Sequence, residues 1–149
     1  MIRSRGQRIA DTLEALDRER GCWMAVGRKD GNSHLIPLTY CWDGERLVFA
    51  TDLNSITVDA LKRTGRARLS LPSTHDVVII DATAAIVTLN DIDATTHQLF
   101  RIVAGFDPCA EPDLYVYVLL TLERIQAWRN GAELPAREIM RAGTWVQDT

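Results

Sequence analysis

Cysteine is scarce in this 149-residue chain. Cys22, Cys41 and Cys109 are odd in number, far apart, and form no Cys-x-x-Cys pair, which argues against a zinc ribbon or a disulfide framework. Cys22 and Cys41 lie in apolar runs and read as buried, reduced thiols. Histidine is as sparse: His34, His75 and His97 fall in a strand, a loop and a helix without ligand spacing, so no dedicated metal site is expected. No Gly-x-Ser-x-Gly elbow, P-loop or glycine-rich dinucleotide fingerprint occurs. Ser73-Thr74-His75-Asp76 holds the residue types of a hydrolase triad, but triad partners meet in space rather than along one loop. No apolar run approaches the ~20 residues of a membrane helix. The N-terminal stretch has basic residues but neither a continuous apolar core nor a small-residue cleavage site. No signal peptide is read there, and a cytoplasmic location is expected.

A basic surplus is missing too. Seventeen basic and twenty acidic residues give a net charge of −3, so a nucleic-acid partner is not expected. The nearest cationic cluster is Lys62, Arg63, Arg66 and Arg68, which reads as a solvated face around a helix end and a strand. A hydrophobic fraction of 46% and a charged fraction of 25% fit one ordinary globular domain spanning 1–149.

What is present is mostly strand. Residues 7–20 predict a helix on Ile9, Leu13 and Leu16, stopped by Gly21, so that 1–21 forms an N-terminal helical arm. Strands follow at 22–28, 33–42 and 46–51, joined by tight turns at Lys29–Asn32 and Asp43-Gly44. Such short links require an antiparallel meander. Pro37 sits in the middle strand without a backbone donor, so it belongs at an edge, at a bulge, or where a ligand replaces a neighbouring strand. Asn54 or Ser55 caps a short helix to Arg63, and Ala67, Leu69 and Leu71 alternate as a half-buried strand. Val77–Val87 is long enough for a bent barrel strand. A helix over 92–104, a strand over 115–122 and a further piece at 125–128 complete the pattern, with 129–149 a C-terminal extension. The fold class is therefore mainly β: a six- to seven-stranded antiparallel split barrel with flanking helices.

One local constellation suits a ligand. Thr51, Asn54, Ser55 and Thr57 offer hydroxyls and an amide beside the free N–H groups of a helix start. On the residues alone, an ordinary helix cap in a polar loop is the better reading.

Larger pieces of the chain resemble a known family. WMAVGRKDGNSHLIPLTYCWDGERLVFAT, NSITVDALKRTGRARLSL, DVVIIDATAAIV and YVYVLLTLERIQAW together cover roughly residues 22–128. In order and spacing they resemble the pyridoxamine 5′-phosphate oxidase-like, FMN-binding split-barrel superfamily, in particular its flavin/deazaflavin-dependent oxidoreductases. The resemblance implies a homodimer with shared cofactor sites and hydride transfer to a small organic substrate through FMN or coenzyme F-420. It places the flat ring on Ile36, Pro37 and Leu38, and the phosphate at Thr51, Asn54, Ser55 and Thr57, with Lys62 as a more distant cation. Trp128 of the partner would close the site. No side-chain nucleophile is implied; Tyr40, Tyr115 and His34 are the candidate proton donors. Family members often place Arg-Lys where Ile56-Thr57 stand here, so both usual cations are missing. A non-catalytic cofactor- or ligand-binding protein is the alternative, and a haem-binding variant using His34 is a third.

Overall fold

The computed structural model describes residues 2–147. Three helices form where caps and turns allow them. Helix α1 (Arg5–Arg18) starts at Ser4, whose Oγ accepts from the Gln7 N–H. Helix α2 (Ile56–Thr64) starts at Ser55, and α3 (Ala94–Ala104) at Asp93. Gly65 and Gly105 end the last two with φ of 69° and 83°, a conformation that costs glycine little.

The strands are β1 (Gly21–Gly27), β2 (Ser33–Thr39), β3 (Cys41–Trp42), β4 (Arg46–Asp52), β5 (Arg66–Ser70), β6 (Val77–Val87), β7 (Tyr115–Trp128), β8 (Glu138–Arg141) and β9 (Thr144–Trp145). All pairings are antiparallel, and seven strands run in the order β2-β1-β5-β6-β7-β4-β3. The two ends of that order are consecutive in the chain, joined through Tyr40. The sheet therefore curls until one bent segment serves both edges, which is the split barrel the sequence predicts. The C-terminal extension adds a β8-β9 hairpin to β7, preceded by a 3-10 turn over Gly131–Ala136.

Tyr40 plugs the bend. Its ring is fully buried, its hydroxyl donates to the Leu16 carbonyl at 2.9 Å, and its own N–H donates to the Arg20 carbonyl at 3.0 Å. One phenol thus ties α1 to the barrel corner. Tyr40→Phe leaves a buried carbonyl unsatisfied and is expected to cost about 1–3 kcal/mol in urea unfolding. No change in the midpoint would show that the hydroxyl anchors nothing.

Burial patterns show which sheet faces are covered. Strand β4 is buried at five consecutive positions, Leu47–Thr51, and β7 at Val116–Leu120. Inside the barrel, Leu47, Phe49, Leu120 and Ile125 join Met24, Leu69 and Ile80. On the outside, α3 lays Phe100 over Val48, Ala50, Tyr117 and Leu119 as a second core. Strand β5 instead alternates exposed Arg66 and Arg68 with buried Ala67 and Leu69. The outer face around Arg66 and Arg68 is thus open to solvent.

Candidate functional site

The start of α2 uses part of its hydrogen-bonding capacity on its own cap. The Ser55 hydroxyl accepts from the Val58 N–H, and the Asp52 carboxylate accepts from the Asn54 N–H at 2.8 Å. The Ser55 N–H donates to the Asp52 carbonyl. Thr51 is buried in β4. Thr57 is 1% exposed, and its hydroxyl finds no partner among the described residues. Asp52 and Asp59 add negative charge, exposed Ile56 supplies none of the opposite sign, and Lys62 lies in the last turn. A phosphate needs free donors and positive charge. This helix start offers an orphaned hydroxyl and first-turn N–H groups but no cation before Lys62, so it suits a phosphorylated cofactor poorly.

The second strand splits the ring-facing residues. Alternation turns Ile36 and Leu38 toward the barrel core and leaves Pro37 exposed outside. Its proline has a backbone explanation. The Arg28 N–H bonds the Asn32 carbonyl and the Tyr40 N–H bonds that of Arg20. In that register Trp23↔Pro37 is a non-hydrogen-bonded pair, so the missing donor faces the sheet edge, where β2 lies. Pro37 and Leu38 do share a cleft of about 340 Å³ with Trp23, Thr39 and Pro72. Thr51, Asn54, Ser55, Thr57, Lys62 and Trp128 do not line it. Trp128 pairs with Val77 at the far end of β7.

The proton-donor candidates are equally dispersed. Tyr40 is sealed in the corner, Tyr115 packs its ring 5.7 Å from that of Phe106, and His34 sits opposite Val26 on β2.

A larger groove, of about 550 Å³, opens on the uncovered outer face. Ala25 and Gly27 of β1, Arg66 and Arg68 of β5, Asp81 of β6, and Glu123 and Arg124 of β7 line it. The register slips between Asp81 and Ala82, which leaves Glu123 as an extra, bulged residue. That bulge lets two consecutive side chains, Glu123 and Arg124, address the same groove. Gly27 contributes space: a Cβ built there meets nothing within 4 Å.

The electrostatics are ordered. Arg68 Nε donates to Asp81 at 2.6 Å, a bond that raises the guanidinium pKa. Arg124 lies 3.9 Å from the same carboxylate and bonds Glu138 at 2.6 Å, holding the Glu138 carboxyl below its ordinary value. Among the described residues no carboxylate pairs with Arg66. The groove therefore offers one unpaired guanidinium beside two that are already oriented. Sequence reading named Arg66 and Arg68 only as a solvated face, because nothing local shows that Arg124 joins them.

No family model matches the chain, and no curated protein does. Solved structures do. An F-420 reductase superposes with a TM-score of 0.63 at 16% identity, over 75% of this chain and 93% of that one. A Clostridium acetobutylicum protein related to general stress protein 26, of the pyridoxinephosphate oxidase family, gives 0.64 at 14% identity, over 86% and 92%. The haem storage protein HutZ of Vibrio cholerae gives 0.63 at 10% identity, over 79% and 92%. Such identities speak for architecture alone, and that architecture is a split barrel shared with solved proteins described as of the pyridoxinephosphate oxidase family and as haem storage proteins.

Proposed function

We propose that this chain binds a flavin or deazaflavin in the outer groove and uses it as an oxidoreductase on a small organic substrate. The carrying observation is the groove itself: a floor of Ala25 and Gly27 beside the unpaired Arg66. Its volume of about 550 Å³ suits a small-molecule site. Small side chains let a flat ring approach the backbone of β1. Arg66 accepts an anionic phosphate arm, and Arg68 and Arg124 lend charge without leaving Asp81. When bound, the cofactor supplies the hydride chemistry; the protein supplies position, charge and exclusion of water. The side chains lining the groove include no histidine, cysteine, methionine or tyrosine, so its donor set lacks the usual ligands of haem iron.

Self-association completes this reading. Trp23 is 45% and Leu35 62% exposed, and both project from the outer face near Pro37. A second copy seated there buries these side chains and walls the groove. Sedimentation is expected to give twice the 16.7 kDa chain mass; a stable monomer ends the shared-site model.

The test is titration with FMN and with F-420, read by absorbance and fluorescence. Arg66→Gln is expected to weaken binding about tenfold, the equivalent of ~1.4 kcal/mol. Gly27→Leu fills space that is empty in the protein, so it is expected to fold normally and to block the ring. Absence of binding below ~1 mM, about −4 kcal/mol, or full binding by Gly27→Leu overturns the assignment. Binding without turnover of any reductant identifies the non-catalytic alternative.

A further inference from the structure

A second cluster of reactive groups lies on the opposite face, under the end of α3. His97 projects from α3, and Asp107 and Cys109 come from the loop that follows it. One ligand atom from each lies within 4.8 Å of the other two. We propose that His97, Asp107 and Cys109 bind a first-row divalent metal ion, zinc(II) being the best match.

The geometry already approaches a coordination polyhedron. His97 Nε2 is 3.5 Å from Asp107 Oδ1, too long for a good hydrogen bond. Tetrahedral zinc with N and O bonds of 2.0–2.1 Å separates those atoms by about 3.3 Å, and an S–N edge by about 3.6 Å. The existing N···O gap therefore accepts an ion with a shift of tenths of an ångström. The donor set of nitrogen, oxygen and sulfur is one that zinc takes, and three protein ligands leave a fourth position for water. On binding, the Cys109 thiol gives its proton to solvent and the thiolate bonds the metal.

The surroundings orient the ligands. His97 Nδ1 lies 2.7 Å from the Tyr117 hydroxyl. A metal on Nε2 leaves the proton on Nδ1, which then donates to that hydroxyl, the usual support for a metal-bound histidine. Tyr117 is a rigid support: it is fully buried, and Phe100 meets its ring edge-on at 5.4 Å. Asp107 Oδ1 also accepts from the Cys109 N–H at 2.9 Å, which fixes the loop between the two ligands. Cys109 is exposed, so an ion can enter. Arg101 is the opposing charge, with Nε 3.5 Å from Asp107 Oδ2. It lies on the side of Oδ2, so Oδ1 keeps its second lone pair for the metal beside the Cys109 N–H.

Cobalt(II) tests the site, because a thiolate ligand gives it a sulfur-to-metal charge-transfer band. The tag-free, reduced full chain is expected to bind one cobalt per protomer with that band, and zinc is expected to displace it. Cys109→Ser is expected to abolish the band, and His97→Gln to weaken binding by at least a hundredfold. Tyr117→Phe removes the orienting hydroxyl and is expected to cost about 10–100-fold. Arg101→Gln removes the competing cation and is expected to tighten binding several-fold. Cys109 is exposed, so its variant folds, and thermal melts of each apo variant separate ligand loss from unfolding. The proposal is overturned if cobalt gives no charge-transfer band, or if the band or the stoichiometry survives in Cys109→Ser.

Discussion

Glu133→Gln is expected to lower stability at pH 7 by about 3 kcal/mol, or ~6–12 °C in Tm for a domain of this size. Glu133 is 1% exposed at the C-terminal 3-10 turn, yet its carboxylate is fully used. Arg3 donates to it through its backbone N–H at 2.9 Å, Nε at 3.1 Å and Nη2 at 2.9 Å, and the Arg129 N–H adds a fourth bond at 2.7 Å. Arg3 also reaches Asp11 at 2.9 Å. One carboxylate thus clamps the N-terminus, α1 and the end of β7 together. The Arg3 hydrogen bond is the largest influence on Glu133 and holds its carboxyl at about 2, against an ordinary 4.5. A depressed carboxylate pKa stabilises the fold above the unfolded-state value and loses that stabilisation as pH falls through the folded one. A depression of that size is worth about 3 kcal/mol at 1.36 kcal/mol per pH unit. Wild type and Glu133→Gln should therefore be furthest apart above pH ~5 and converge as pH falls toward ~2. A gap that stays constant down to pH 3 would show that packing, rather than charge, is what the variant loses. Replacing both partners, as in Arg3→Met with Glu133→Leu, is expected to recover much of the loss, because no buried charge is left alone.

The arrangement of strands is local information, and most of it is legible in the sequence. Asp43-Gly44 and the Lys29–Asn32 turn force hairpins, so β1, β2 and β4 follow without any tertiary input. The errors arise where distant segments decide. Leu13 belongs to the expected inner stripe of α1 but is 37% exposed, while Arg8 and Thr12 are buried. Arg8 is tolerated inside because its Nη1 meets the carbonyls of Ala127 at 3.0 Å and Ala136 at 2.7 Å, well over a hundred residues away. A hydropathy pattern counts arginine as solvent-facing and has no access to those carbonyls. Residues 115–128 form one strand rather than two because the Glu123 bulge absorbs the irregularity that looks like a bend. The β8-β9 hairpin hides for the same reason: its strands are four and two residues long, and it joins the sheet only through the pairing of β8 with β7.

The candidate site is less legible than the fold. Motif spacing leads to the start of α2, where donors and a cap stand together in sequence. The structure shows that capping engages the Ser55 hydroxyl and that Asp52 brings the wrong charge. The groove draws on Ala25, Gly27, Arg66, Arg68, Asp81 and Arg124, four strands' worth of unremarkable surface residues. All but Arg124 follow the ordinary alternation of their own strands, and Arg124 faces the groove only because of the bulge at Glu123. Only the docking of α3 on the other outer face determines that theirs remains open.

Phe100→Ala is expected to cost about 3–5 kcal/mol, the range for deleting a buried phenyl ring. Phe100 is fully buried between α3 and the β4/β7 surface. Its ring meets Phe106 at 5.1 Å and Tyr117 at 5.4 Å, both edge-on. Such pairs add about 0.5–1.5 kcal/mol each beyond the area they bury. The loss should be uneven, because this second core is separate from the one inside the barrel. Amides of α3 are expected to exchange faster by a larger factor than those of β5, whose buried residues lie in the barrel interior. His97 rides on the same helix one turn earlier and takes its orientation from Tyr117, so cobalt binding should weaken in parallel. The outer groove shares no lining residue with this core, so FMN and F-420 titrations should stay close to wild type once the protein is kept below its lowered Tm. Phe100→Leu retains most of the volume and is expected to cost less than half as much. Equal acceleration of exchange across α3 and β5 would mean that the two cores unfold as one unit. The covered face and the open face of this barrel would then lose their energetic independence.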